Sequence, residues 1–470
     1  MKNIIILGAG ESGVGAAILA QQQGFNVFVS DAGIIKAAHL QTLQQYGIEY
    51  EQEMHSRSRL LHLADLVIKS PGIAMDNELV QAFIRKGIAV IDEIEFAAQY
   101  VQKAKIIAIT GSNGKTTTTL LIHHLLTVAC RDAALVGNIG FSFAKRVAEN
   151  PAVYYVVETS SFQLDCIDKF APDIALLLNI SPDHLDRYGY DMANYIAAKF
   201  RIIQNKKAAD IFIYNSENAH VQAGLAHFAP AHDKNMIGLS ESHIQQLGDM
   251  LMVEKSGFQI DKKLLTLEGK HNYFNISAAV QAALALGLTH EEIAKGLQTF
   301  KNEAHRLEFV ANINGVDYIN DSKATNVDSV WYALDAIQKP IVWIVGGVDK
   351  GNDYSLLSEL VKNKVRAIVC LGKDNNPIKA AFSPIQPLIE ETISMPEAIK
   401  VASLYAEQGD VVLLSPACAS FDLFKNYIDR GDQFRNVLLQ EQKILNEGIK
   451  INLNLSIEMN PAQACRDDKG

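Results

Sequence analysis

Short apolar runs rich in isoleucine and valine, each followed by a stretch of helical spacing, recur along the whole chain. That alternation leaves little choice of architecture, because each run reads as a buried parallel strand and each following stretch as a crossover helix. Three series are visible. The first is "NIIIL" (3–7), "NVFVS" (26–30), "DLVIKS" (65–70) and "GIAVI" (87–91). The second runs "KIIAIT" (105–110), "VYYVVE" (153–158), "DIALLLN" (173–179) and "DIFIYN" (210–215), with helices expected over 115–129 and 191–205. The third is "VDYIND" (316–321), "IVWIVGG" (341–347), "AIVCLG" (367–372) and "DVVLLS" (410–415). Between the last two, 276–287 and 289–300 read as a helix pair, with Thr289 capping the second helix ahead of Glu292.

At 470 residues the chain is long enough for several cores, so the expected fold is α/β in three domains. These are a Rossmann-like N-terminal domain (1–100), a central P-loop ATPase-type domain with a mostly parallel sheet (101–302) and a Rossmann-like C-terminal domain (303–448). Residues 449–470 show no clear period and are expected to form a peripheral or disordered tail. The formal net charge is -10 with no long block of one sign, which disfavours nucleic acid and anionic membranes as partners. No apolar run approaches the roughly 18 to 20 residues that span a bilayer, and no cleavage pattern follows the N-terminus. A cytoplasmic protein without membrane insertion is expected. Cys130, Cys166, Cys370, Cys418 and Cys465 are odd in number and far apart, so they read as reduced thiols rather than disulfides or zinc ligands.

Two glycine turns carry the chemistry. Gly8, Gly10 and Gly13 lie between the first strand and its helix, and Asp31 ends the second strand, which is the dinucleotide fingerprint. The same pattern serves NAD(P), another nucleotide diphosphate, or close helix–sheet packing alone. The second turn is "AITGSNGKTTTT" (108–119). A general phosphate loop wants glycine at position 109, where this chain has Ile109, yet Gly111, Ser112, Asn113, Gly114, Lys115 and Thr116 supply every working part. Consecutive backbone N–H groups at a helix N-terminus cradle an anion, and the lysine and threonine add a charge and a magnesium ligand. ATP or GTP is the implied ligand.

What faces the γ-phosphate should stand at neighbouring strand ends. One strand ends in Glu158-Thr159-Ser160, which offers a carboxylate where a metal-bridging acid would stand relative to Thr116. Another runs into Asp183-His184-Leu185-Asp186-Arg187-Tyr188.

The loop 110–117, Asn138 in "VGNIG", Glu158 in "ETSSFQ", His184 in "SPDHLDRY" and Lys199 in "YIAAKFR" resemble the central domain of the Mur ligases. That family forms amide bonds in peptidoglycan precursors by activating a carboxylate with ATP, and the short loop is its own form of the motif. Together with "NDSKATN" (320–326) and "LSPACASFDLFKNY" (414–427), these motifs are most similar to the branch that adds D-glutamate to UDP-N-acetylmuramoyl-L-alanine. The resemblance covers about residues 1 to 445.

It implies two magnesium ions, held by Thr116, Glu158, His184 and Lys199, the last as a carbamate formed with CO2. That reaction needs a neutral amine, which burial favours. By the same resemblance Lys115, Lys323 and Lys350 offset charge developing in catalysis, with His184 and Lys199 acting through the metals. Gly111 to Thr117, Asn272, Arg306 and Asp321 meet ATP. Ser12, Asp31, Ala32, Gly33, Asn138, Ser160 and His184 meet the UDP-linked substrate, and Thr325, Lys350, Ser420 and Tyr427 meet the amino acid. Family members with Gly-Gly-Asp-x-Lys differ from Gly346-Gly347-Val348-Asp349-Lys350 here, which leaves the role of Asp349 open. A monomer is the simplest expectation.

Overall fold

The computed structural model describes residues 2–458 apart from 230–233, 242–243, 245–247, 268, 302–303 and 350, and describes no side chain beyond 444. The chain divides into two compact units, Met1–Lys301 and Asn302–Gly470. The first two expected domains therefore share one unit.

In that unit, β1 (Asn3–Leu7), β2 (Asn26–Ser30), β3 (Glu49–Glu51), β4 (Leu66–Lys69) and β5 (Ala89–Asp92) pair in the order β3-β2-β1-β4-β5, all parallel. The order reverses between β1 and β4, which opens a crevice at their C-terminal ends. A second parallel sheet contains β6 (Lys105–Thr110), β7 (Ala133–Gly137), β8 (Tyr154–Glu158), β9 (Ile174–Leu177), β10 (Ile211–Asn215) and β11 (Met236–Leu239), in the order β11-β10-β9-β6-β8-β7. Register sets Ile109 opposite Glu158 and Thr110 opposite Leu177, so the loops that leave β6, β8 and β9 emerge side by side. A short hairpin, β12 (Met250–Met252) with β13 (Gln259–Asp261), follows. The helix pair forms as Lys270–Ala285 and His290–Thr299, and Thr289 and Glu292 make the expected capping box.

The second unit holds β14 (Glu308–Ile313), β15 (Val316–Asn320), β16 (Ile341–Val345), β17 (Val365–Leu371), β18 (Ile389–Thr392) and β19 (Val411–Leu414). Their order is β14-β15-β19-β16-β17-β18, with only the edge pair β14–β15 antiparallel among the described residues. The final helix runs Tyr427–Glu458, and Phe434 and Leu438 on it are buried in the core. The expected tail boundary at 448 thus falls inside a helix. Residues 459–470, including Cys465, lie outside the described residues. Of the other cysteines, Cys166, Cys370 and Cys418 are buried free thiols and Cys130 is exposed.

Where β5 passes into helix Glu93–Ala98, three acids within four residues are spent on structure. Asp92 caps the helix through Ile94 N at 3.0 Å. Glu93 Oε1 accepts from Ser142 Oγ and Ala144 N, both at 2.6 Å. Glu95 Oε2 takes the backbone N–H groups of Asp168, Lys169 and Phe170 at 2.8 to 3.0 Å. Burial pushes the Asp92 carboxyl up to about 8 and Glu93 up to about 7. A carboxyl whose folded pKa is raised holds its proton longer in the folded state. The stability it contributes is present below the unfolded carboxylate range and is lost as pH rises toward those values. Asp92→Asn, which mimics the protonated acid, is therefore expected to gain stability relative to wild type between about pH 5 and pH 8 in urea unfolding. A pH-independent difference would contradict this account.

Candidate active site

Thr110 closes β6, and the chain turns through Gly111 to Gly114 into helix Lys115–Val128. The neighbouring strand holds the turn in shape. Ser112 N donates to Asn179 O at 3.0 Å, Asn113 N donates to Asn179 Oδ1 at 2.8 Å, and Asn179 Nδ2 donates back to Asn113 O at 3.1 Å. Ser112 Oγ donates to Ser181 O and accepts from Ser181 N, both at 2.9 Å. On the other side, Gly114 has φ 81°, and a Cβ there would lie 2.4 Å from Asn275 Oδ1 on helix Lys270–Ala285. The loop accepts only glycine at that point. Asn272, on the same helix, is buried. Thr117 Oγ1 is buried with no hydrogen-bond partner among the described residues.

Two lysines meet on one oxygen. Lys115 Nζ folds back to donate to Gly111 O at 2.7 Å and Ser112 O at 2.8 Å, and Lys199 Nζ also donates to Gly111 O at 2.8 Å. Lys199 is 1% exposed and faces the Tyr195 ring at 4.6 Å, while the Tyr195 hydroxyl reaches Ser112 Oγ at 3.1 Å. Burial first, and the nearby Lys115 charge second, hold the Lys199 ammonium well below the usual lysine range, with Asp183 and Asp165 opposing. A buried amine that is neutral near pH 7 still donates one hydrogen bond and keeps a lone pair for an electrophile.

Glu158 is 1% exposed. Its Oε1 accepts from Asn138 Nδ2 at 2.7 Å, while its Oε2 is buried with no hydrogen-bond partner among the described residues. An ionised carboxylate oxygen left dry and unpaired is costly, and a hard cation would satisfy it. The donors at this strand end therefore fit magnesium bound jointly to a phosphate. Among the described residues no group of three or more His, Cys, Asp and Glu gathers as a self-sufficient metal cluster.

His184 takes a left-handed conformation (φ 52°), stacks edge-on to Phe162 at 5.1 Å and lies 3.6 Å from Asp183 Oδ2. Ser160 caps helix Ser161–Leu164 in a reciprocal box with Gln163.

At the first sheet, Asp31 braces the glycine turn. Its Oδ2 accepts from Ala9 N at 2.6 Å and its Oδ1 from Gly33 N at 2.8 Å. A Cβ on Gly13 would lie 1.9 Å from Gly8 O, so close packing alone already requires that glycine. A cavity of about 330 Å³ stands at the β1/β4 crevice, lined by Gly8, Asp31, Ala32, His55, Gly72 and Asn77 among others. Ser12 sits in the first turn of helix Glu11–Gln22.

The second unit gathers its own set. Asp321 Oδ1 accepts from Leu307 N at 3.2 Å and Oδ2 from Ser415 Oγ at 2.8 Å, and burial pushes its carboxyl up to about 7 while the Arg306 charge opposes. Lys323 Nζ lies 5.6 Å from the centre of the Tyr427 ring. Thr325 and Ser420 follow β15 and β19, and Ser420 is buried. Lys350 lies outside the described residues, but Asp349 before it has a clear job. Its Oδ1 accepts from Gly351 N at 2.6 Å and Asn352 N at 3.1 Å, and its Oδ2 from the Tyr354 hydroxyl at 2.6 Å.

Sequence reasoning missed Tyr195, Asn179 as the brace of the loop, and Asn275. Only Tyr195 left a local signal, since it precedes Lys199 by four residues on one helix face.

Three family models match the chain: "Mur ligase MurD-like, N-terminal domain" over 2–92, "Mur ligase middle domain" over 109–283, and "Mur ligase, glutamate ligase domain" over 305–418. The UDP-N-acetylmuramoylalanine–D-glutamate ligase of Cytophaga hutchinsonii is 48% identical over 446 residues, covering 93% of this chain and 99% of its own. The protein of the same name from Bacteroides fragilis is 46% identical over 445 residues, with the same coverage. Among solved structures, the UDP-N-acetylmuramate-alanine ligase of Thermotoga maritima shares the fold with TM-score 0.58 at 19% identity, covering 94% of this chain and 99% of that one. The MurF ligase of the same organism, solved with ADP, also scores 0.58 at 15% identity, over 89% and 95% of the two chains.

Replacing Gly114 with alanine would force a left-handed backbone on an L-residue and drive Cβ into Asn275, at a cost of about 2 kcal/mol or more. Titration calorimetry is expected to show ATP or ADP affinity reduced by about tenfold or more. Wild-type affinity in that variant would contradict the loop geometry as the nucleotide cradle.

Proposed function

The chain belongs to the Mur ligase family, and from that premise we propose that it is the ligase that joins D-glutamate to UDP-N-acetylmuramoyl-L-alanine at the expense of ATP. The observation that carries the reading is the meeting of Lys115 and the buried Lys199 on the Gly111 carbonyl, one strand away from the idle oxygen of Glu158. A loop that only bound a nucleotide would need Lys115 and no second, buried lysine.

ATP lies with its β- and γ-phosphates on the amides of Gly111 to Thr117, and Lys115 leaves its two carbonyls to pair with them. Asn272, Arg306 and Asp321 hold the rest of the nucleotide. The UDP end of the acceptor occupies the crevice near Asp31, Ala32, Gly33 and Ser12, and Asn138, Ser160 and His184 guide the muramyl end. The terminal carboxylate of the acceptor attacks the γ-phosphorus, a P–O bond forms as the bond to ADP breaks, and an acyl phosphate results. The amine of D-glutamate, held by Thr325, Lys350, Ser420 and Tyr427, adds to the acyl carbon. The tetrahedral intermediate then expels phosphate and the amine loses its proton. Lys115, Lys323 and Lys350 offset the negative charge that grows on the transferring groups.

Magnesium would be held by Thr116 and Glu158, and a second ion by His184 and Lys199; when bound, it neutralises phosphate charge. Lys199 serves that role after its neutral amine adds to CO2, forming an N–C bond and releasing one proton. By the same reading the enzyme works in the cytoplasm as a monomer. No described helix is long and apolar enough to cross a membrane.

ADP release is expected to require both UDP-N-acetylmuramoyl-L-alanine and D-glutamate. Turnover that persisted without either, or that accepted L-glutamate equally, would defeat the reading. Lys199→Ala should lower kcat by about 100-fold, with partial recovery on addition of short carboxylic acids. Full activity in that variant would exclude the carbamate.

A further inference from the structure

Arg430 is among the largest fully buried side chains of the second unit, at 1% exposure, and no carboxylate pairs with it among the described residues. A buried guanidinium is normally neutralised by an acid. Here its donors go to backbone carbonyls and the Ser322 hydroxyl, and Asp422 and Asp321 act on it only through their charge. Nε donates to Ser322 Oγ at 3.0 Å, Nη1 to Gly346 O at 3.3 Å and Cys418 O at 3.2 Å, and Nη2 to Ser322 O at 2.9 Å and Cys418 O at 3.2 Å. Burial lowers its pKa to about 10, which leaves it cationic at neutral pH.

The three acceptor residues have a common placement. Ser322 follows β15, Gly346 follows β16 and Cys418 follows β19, three neighbouring strands in the order β15-β19-β16. The loops they begin also bond to one another: Gly346 N to Pro416 O at 3.0 Å, Val348 N to Ala419 O at 2.8 Å, and Ala417 N to Ala324 O at 3.0 Å. Ser322 Oγ in turn donates to Tyr427 O at 2.8 Å, tying the start of the final helix to the same point. Lys323 and Thr325 stand in the first loop and Ser420 in the third.

We propose that Arg430 is a positioning residue for the amino-acid site: its planar fork fixes three strand-end loops in one register, and so sets the spacing of the groups that grip the dicarboxylate. The identity of the ligand rests on the ligase reading above, whereas the tie itself does not. A planar five-donor fork is needed because one point charge cannot address three carbonyls and a hydroxyl in fixed directions. Arginine at this position touches no substrate and acts through the loops.

Arg430→Lys keeps the charge and loses the fork. In the full-length protein it is expected to raise the KM for D-glutamate about tenfold, with the KM values for ATP and the UDP-linked acceptor within about twofold of wild type. Hydrogen exchange should quicken at the amides of Gly346, Val348 and Ala417 while the amides of β16 and β17 keep their protection. An unchanged glutamate KM, or exchange that rises equally throughout the sheet, would overturn the proposal. If Arg430→Lys fails to fold, Ser322→Ala removes the Nε acceptor together with the Oγ bond to Tyr427 O and should give the same pattern at smaller amplitude; no shift there would overturn it equally. Wild-type protein that did not turn over D-glutamate would sink the ligase reading, and the exchange comparison would still decide the tie.

Discussion

The carbonyl of Gly111 is the point on which the first unit's chemistry depends. A single peptide oxygen receives two lysine side chains, each within 2.8 Å. Two full ammonium charges converging on one acceptor in a buried site repel strongly, and burial penalises Lys199 further. Burial and the neighbouring Lys115 both push the Lys199 ammonium well below the usual lysine range, while Lys115 is partly exposed. One oxygen thus links the glycine loop to the buried amine of Lys199.

The surrounding sheet makes this junction possible. β6 is central, so both neighbours contribute: β9 sends Asn179 and Ser181 to shape the turn, and β8 ends in Glu158 with its idle oxygen. The same economy recurs elsewhere, with the polarity reversed. Glu95 collects three backbone N–H groups, and Arg430 collects three backbone carbonyls. Glu95 fixes one three-residue segment and Arg430 meets three strand-end loops, and in each case removing the side chain would strand all of its partners.

Much of this was legible in the sequence. The runs 3–7, 26–30 and 105–110 coincide with β1, β2 and β6, because central parallel strands are apolar on both faces and stand out as continuous blocks. Three edge strands did not stand out, although the edge strand β5 did: Glu49–Glu51 and Ile389–Thr392 are half polar, and Ala133–Gly137 is short and mixed. The phosphate loop and Lys199 were legible through motif spacing. Asn179, Asn275 and Arg430 were not, because their partners lie 66 to 161 positions away in the case of the loop and 12 to 108 in the case of Arg430. Asp349, ambiguous as a motif position, is explained by the amides of Gly351 and Asn352 and the Tyr354 hydroxyl that its carboxylate accepts from.

The central claim is that a substrate carboxylate, rather than water, faces the γ-phosphate above Gly111. It is tested most directly by labelling both oxygens of the terminal carboxylate of UDP-N-acetylmuramoyl-L-alanine with oxygen-18 and analysing the phosphate released during ligation to D-glutamate. The account predicts one labelled oxygen in each phosphate, carried from the carboxylate through the acyl phosphate. Unlabelled phosphate, with the label retained in full by the peptide product, would contradict it.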